Sequence, residues 1–178
     1  MRFPCSLFAL PFVIGLASGC GAVKRPDGNV GLLPVGAPAP EVIGYDVLGK
    51  EVRLSRLAGL EPAVIYFYPK DGSPGCTTEA CAFRDAWDKY TQAHVAVIGV
   101  STDSAASHHA FLEKKHLPFA LASDESGVVA NSYGVPKRLW GDSRVTFLVG
   151  KDGKVAHVWP DVDPGIHADE VLNVATSP

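Results

Sequence analysis

The sequence predicts an α/β fold in which strands and helices alternate around a central mixed sheet. Three observations carry that prediction. Two continuous β-prone runs, "AVIYFY" (63–68) and "VAVIGVS" (95–101), flank a helix-period stripe, and a late pair, "RVTFLV" and "KVAHVW", flanks "GKDG". Uninterrupted apolar runs suit strands buried on both faces, and a strand–helix–strand order implies a parallel pair with a right-handed crossover. The 178 residues are enough for one domain with a substantial core.

The elements follow in order. Residues 1–20 read as a leader: one positive charge in "MRF", the apolar stretch "SLFALPFVIGLA", then "ASGC". That stretch is short for a bilayer span and fits a signal-peptide core. Small residues Ala17, Ser18 and Gly19 before Cys20 resemble a bacterial lipobox, although Ala17 stands where Leu is commoner. The expectation is an exported lipoprotein anchored through Cys20; ordinary secretion with cleavage nearby is the alternative. Residues 21–38, rich in Gly and Pro without periodicity, read as a flexible tether, with the domain over 39–178. "EVIGYDVLGKEVRLSRL" predicts a hairpin and a short turn. A helix is expected from Cys76, where Cys76, Ala80, Phe83, Trp87 and Tyr90 recur every three or four positions. Asp103 or Ser104 can cap a helix that runs to about His116 and stops before Pro118. "FALAS" predicts a short strand and "ESGVVANSYGV" a short helix; the "GKDG" hairpin and a terminal helix over 166–175 complete the chain. Alternation ending in an antiparallel hairpin points to a thioredoxin-like arrangement, a mixed sheet flanked by helices.

Composition narrows the function. Net charge is −3 and the basic residues are scattered, so no basic stripe exists to grip nucleic acid or an acidic membrane. Small-molecule chemistry gains weight. Of the four cysteines, Cys5 lies in the leader and Cys20 at its end, which leaves Cys76 and Cys81. In an oxidising compartment a structural disulfide between them is the first alternative, but it would close a very small loop and oppose a strongly periodic helix.

The stretch "PKDGSPGCTTEAC" (69–81) concentrates the chemistry. A thiol in the first turn of a helix meets unpaired backbone N–H groups and the positive end of the helix dipole. Both favour the charged sulfur that acts as a nucleophile. Gly75 allows close approach of a ligand, Pro69 and Pro74 stiffen the loop, and the Ser73 hydroxyl can donate and accept hydrogen bonds. Glu79 reads as a capping-box residue, with a hydrogen-bond organiser of the active site as the alternative, and Phe83 and Trp87 read as core. Arg84 and Asp85 fall on the solvated side of the helix. The histidines show no ligand spacing, so no metal is assigned.

"FYPKDGSPGCTTEACAFRD" resembles the active-site segment of peroxiredoxins, specifically the Q-type (bacterioferritin-comigratory-protein) subfamily. The subfamily's Pro-x-x-x-Thr/Ser-x-x-Cys pattern is met by Pro69, Ser73 and Cys76, with Ser73 where Thr is commoner. Similarity continues through "GVSTDSAASHHAF", "LPFALASDESG", "SYGV" and "RVTFLVGKDGK", over about residues 37–160. The resemblance implies an atypical 2-Cys thiol peroxidase acting on hydrogen peroxide and organic hydroperoxides. Cys76 would be peroxidatic, Cys81 resolving through an intramolecular disulfide, and Arg144 the active-site arginine. A thioredoxin-like dithiol would recycle a monomeric enzyme that requires no metal, haem or flavin cofactor. The alternatives are a thioredoxin-fold copper chaperone, disfavoured by the Cys spacing, and a membrane-tethered disulfide reductase, disfavoured by the lack of C-x-x-C.

Overall fold

The computed structural model describes residues 22–139 and 141–177; the leader and Cys20 therefore lie outside the described residues. The expected hairpin is β1 (Ile43–Tyr45) and β2 (Glu51–Arg53), followed by α1 (Leu54–Leu57). Next come β3 (Ala63–Phe67), α2 (Pro74–Asp85), α3 (Trp87–Gln92) and β4 (Ala96–Ser101). Then α4 (Ala105–Lys115), β5 (Ala120–Ser123) and α5 (Val128–Ser132) lead to a small ribbon, β6 (Lys137–Arg138) with β7 (Gly141–Asp142). The chain finishes with β8 (Val145–Val149), β9 (Val155–Trp159) and α6 (His167–Ala175). The main sheet has seven strands in the order β2-β1-β5-β4-β3-β8-β9. β3, β4 and β5 run parallel, while β8 joins β3 and β1 joins β5 antiparallel. This is the mixed thioredoxin-like sheet that the sequence predicts.

β3 explains how one run serves two cores. All five of its residues are buried, and alternate side chains face opposite ways. Val64 and Tyr66 pack with Cys76, Ala80, Phe83 and Tyr90 under α2 and α3, whereas Ile65 and Phe67 pack with Tyr133, Val135 and Phe147 on the other face. Complete burial of each large apolar side chain contributes about 1.5–3 kcal/mol. That holds the end of β3, and so the loop after it, in a fixed place. Among the described residues no helix is long and apolar enough to cross a membrane.

Three expectations need correction. α2 begins at Pro74, two residues ahead of Cys76, because a proline suits the first helical position, where the missing N–H costs nothing. The helical stripe is also not one helix: it breaks at Ala86 (φ −89°, ψ 2°) before α3 begins. Third, the stretch 21–38 is not a free tether from residue 22 onward. Lys24 bridges to Val30 and Pro38 to Lys154; Leu33 N donates to Tyr133 O at 2.9 Å and Gly36 N to Val155 O at 2.8 Å. The Arg25 side chain is buried and donates to Gly31 O at 2.6 Å and Leu32 O at 2.9 Å. Residues 23–38 thus belong to the folded body, ahead of the expected boundary at 39. Gly and Pro carry no apolar period, so a segment held by backbone bonds and one buried guanidinium leaves no trace in periodicity.

Candidate active site

The Cys76 sulfur sits where the sequence expects it, in the first turn of α2, and is almost wholly buried. Ser73 occupies the N-cap position, yet its side chain caps no N–H of the helix. Its hydroxyl instead donates to Lys70 O at 3.1 Å. Pro74 has no N–H, so the amides of Gly75 and Cys76 are the first-turn donors left for a ligand. The Ser73 hydroxyl and these amides thus flank the Cys76 position at the head of α2.

Arg144, just ahead of β8, closes the other side. Its Nη2 lies 3.4 Å from Cys76 Sγ, so the guanidinium charge rests against the sulfur. A Cβ on Gly75 would stand 3.2 Å from the same Nη2, which explains the small residue there. Nη1 of Arg144 pairs with Glu79 Oε2. Glu79 is completely buried on the inward stripe of α2, with Oε1 unpartnered. Burial pushes its carboxyl up to about 7, against the downward pull of Arg144. Of the two readings of Glu79, the capping box gives way to the organiser: it stands three residues after Cys76 on the buried face and fixes the arginine. That i+3 spacing on the Cys76 stripe was the signal available in the sequence.

His167, at the start of α6, packs edge-on against Phe83 and Trp159 with Nε2 2.8 Å from Thr146 Oγ1. Burial, and then the charge of Arg144, hold it down to about 4. It is a neutral wall behind α2.

Pro69 is held from behind. Gly141 has φ +123°, and a Cβ there would lie 2.0 Å from Pro69 O, so the β6–β7 ribbon presses on the loop only because residue 141 is glycine. Cys81 is half-buried, and both cysteines are free within one unbroken helix. Arg84 is less solvated than expected: it pairs with Asp85 and donates to Lys115 O at 2.9 Å, tying the lower half of α2 to the end of α4.

The sequence reading missed a second layer behind the loop. Asp71 accepts from Tyr68 OH at 2.7 Å and Ser107 Oγ at 2.7 Å, and lies 2.9 Å from His108 Nδ1. Its own N–H donates to Asp103 Oδ2 at 2.8 Å. Aspartate inside a Gly/Pro loop reads as turn chemistry, and only the fold brings α4 and the end of β4 against it.

A thioredoxin-like sheet that offers a helix-head cysteine to an arginine, beside a hydroxyl-bearing loop, defines the class of thiol-dependent peroxidases. Comparison with known proteins agrees. The chain belongs to the AhpC/TSA family, which residues 35–158 match. It is 42% identical over 178 residues to the chloroplastic peroxiredoxin Q of Triticum aestivum, covering 98% of this chain and 79% of that protein. A putative peroxiredoxin bcp of Coxiella burnetii is 40% identical over 147 residues, covering 79% of this chain and 97% of that one. Among solved structures, peroxidoxin BcpB from Mycobacterium tuberculosis superposes with a TM-score of 0.73 at 32% identity, covering 80% of this chain and 96% of the other. Xanthomonas campestris peroxiredoxin Q gives 0.71 at 33% identity, with 80% and 94% covered. The protein is a thiol-dependent peroxidase of peroxiredoxin Q type, and these relatives do not favour the copper-chaperone or disulfide-reductase alternatives.

Proposed function

We propose that Cys76 is the peroxidatic sulfur and Cys81 the resolving one. The observation that carries this is the 3.4 Å contact of Arg144 with Cys76 Sγ at the head of α2. The Cys76 thiolate attacks the distal oxygen of HO–OR, the O–O bond breaks, and the electron pair leaves with RO⁻, which takes up a proton as water or alcohol. Arg144 and the amides of Gly75 and Cys76 stabilise charge as it moves off sulfur and onto the departing oxygen, and the Ser73 hydroxyl orients the peroxide. Pro69 keeps the loop stiff behind them. Cys76 is left as a sulfenic acid; the Cys81 thiol condenses with it, releasing water and forming the disulfide. A thioredoxin-like dithiol then returns both thiols by exchange. Both cysteines lie on one helix, so a monomer completes the cycle.

The lipobox resemblance supports export and anchoring through Cys20, with the enzyme facing the periplasm or cell exterior. Cys20→Ser should abolish lipid incorporation; persistent labelling would refute the anchor.

For the peroxidase roles the test is labelling of single-cysteine variants. Cys76→Ser should abolish turnover, and Cys81→Ser should react once and leave a dimedone-reactive sulfenic acid at Cys76. If instead Cys76→Ser labels at Cys81 and Cys81→Ser labels nowhere, the two roles are exchanged.

A further inference from the structure

Asp103 lies between the end of β4 and the start of α4. Its Oδ2 accepts from Asp71 N at 2.8 Å and from Ser101 Oγ at 2.8 Å. Ser101 Oγ also accepts from Asp103 N at 3.1 Å, and Asp103 O accepts from Ser123 Oγ at 2.6 Å. Ser101 of β4 thus fixes the carboxylate, and Ser123 of β5 holds the backbone of the same residue.

The peptide unit it grips joins Lys70 to Asp71. The carbonyl of that unit, Lys70 O, accepts from the Ser73 hydroxyl at 3.1 Å and from Ser73 N at 3.4 Å. Gly72 supplies the positive φ, +69°, that the third position of such a turn demands. One amide therefore holds a carboxylate at its N–H end and the Ser73 hydroxyl at its C=O end. Hydrogen bonds in series polarise one another, and bonds to a charged acceptor are the stronger ones. A hydroxyl has one proton to give. With that proton committed to Lys70 O, the oxygen of Ser73 can meet a ligand only with its lone pairs.

We propose that Asp103 is a positioning residue for peroxide reduction, which acts through the Lys70–Asp71 peptide to fix Ser73 Oγ as an acceptor for the O–H of the peroxide. The proposal rests on the reading that Ser73 contacts the substrate. The O–H in question belongs to the oxygen that Cys76 attacks, so its direction sets the line of approach to the O–O bond, and small errors there are costly. The bonds from Tyr68, Ser107 and His108 to the Asp71 carboxylate hold the same residue by its side chain. They brace the loop, while Asp103 alone bonds the amide that faces Ser73.

The experiment compares two reactions of Cys76 in the full chain carrying Cys81→Ser. Oxidation by hydrogen peroxide needs an acceptor for the substrate O–H; alkylation by iodoacetamide, read at Cys76 by mass spectrometry, does not. Asp103→Ala should slow oxidation about tenfold, the order expected for one lost hydrogen bond, and leave alkylation within about twofold. Asp103→Asn retains an acceptor oxygen without the charge and should slow oxidation about threefold. In a Ser73→Ala background, adding Asp103→Ala should slow oxidation no further, the non-additivity of two residues acting as one unit. Equal slowing of oxidation and alkylation, an undiminished Asp103 effect without Ser73, or unchanged oxidation in Asp103→Ala would each overturn the proposal. Should the alanine variant not fold, native-rate oxidation in Asp103→Asn overturns it. Ser73→Ala with an undiminished oxidation rate would instead remove Ser73 from the site, and the proposal with it.

Discussion

Arg144 is asked to do two things at once, because Nη2 meets the sulfur while Nη1 is tied to Glu79. Only a planar fork spans both partners. Arg144→Ala should lower the second-order rate with peroxide about ten- to a hundredfold, the loss of a charged hydrogen bond worth about 1.5–3 kcal/mol. Arg144→Lys should recover part of that, because an ammonium is a single point of charge; stopped-flow oxidation rates decide between them. Glu79 leaves a signature in stability. Burial raises its carboxyl from 4.5 to about 7 in the folded protein, so between those values the native state holds a proton that the unfolded chain has lost. The stability gained this way is fully present below the unfolded pKa and drains as pH rises through about 7. Glu79→Gln has no such proton to lose, so denaturation midpoints between pH 5 and pH 8 should fall less than in the native sequence. An equal fall in both proteins would mean that Glu79 is ionised throughout.

At the scale of the element, the decisive one is α2. Five residues of helix turn the chain about 500° and rise about 7.5 Å, so Cys76 and Cys81 stand about 140° apart. A disulfide needs Cβ atoms about 3.8 Å apart, and the unbroken Pro74–Asp85 helix cannot form one. The lower half of α2 is well held: Phe83 stacks on Tyr66 at 5.0 Å and meets Tyr90 at 5.7 Å, and Tyr90 OH donates to Ala168 O at 2.6 Å. The first turn has no such anchor on its outer side, where Thr78 is exposed. Oxidation should therefore unwind residues 74–81 and stop near Phe83, which makes resolution a conformational step. Amide exchange over 76–84 should be slow in the reduced protein and fast in the disulfide form; equal protection in both states would end the resolving role of Cys81. The apolar stripe of this helix was readable because its period is 3.6. The break at Ala86 was not, because no Gly or Pro marks it and the stripe runs on through Trp87 and Tyr90. The two readings of Glu79 could not be ranked correctly for a related reason: periodicity identifies a buried face by its apolar residues, and the i+3 spacing from Cys76 gains its meaning once Arg144, just ahead of β8, meets the carboxylate.

At the scale of the whole molecule, the strap at 22–38 changes what a lipid on Cys20 would mean. A free segment of residues 21–38 could lift the domain about 60 Å from a bilayer. With the chain held from Val23, whose carbonyl accepts from Gly31 N at 2.8 Å, the reach left beyond Cys20 is about 10 Å, so an enzyme anchored there should lie directly on the membrane surface. Arg25 is the residue to remove, because its side chain is 4% exposed and bonds Gly31 O and Leu32 O from within the strap, with Asp27 at 3.1 Å on its outer side. Arg25→Ala strands those carbonyls at about 1–3 kcal/mol each. Leu33 stays fixed by its own burial and by Tyr133 O, so the release should be confined to residues 22–32 and leave the peroxidase rate unchanged. That freed length spans about 40 Å at most. Neutron reflectometry of the lipidated protein on a supported bilayer should find protein density starting within about 10 Å of the headgroups, and Arg25→Ala should open a hydrated gap between them. A gap of tens of ångströms already present in the native protein would mean that the strap detaches at the membrane, and Arg25 would lose its place as the clasp that sets the height of the domain.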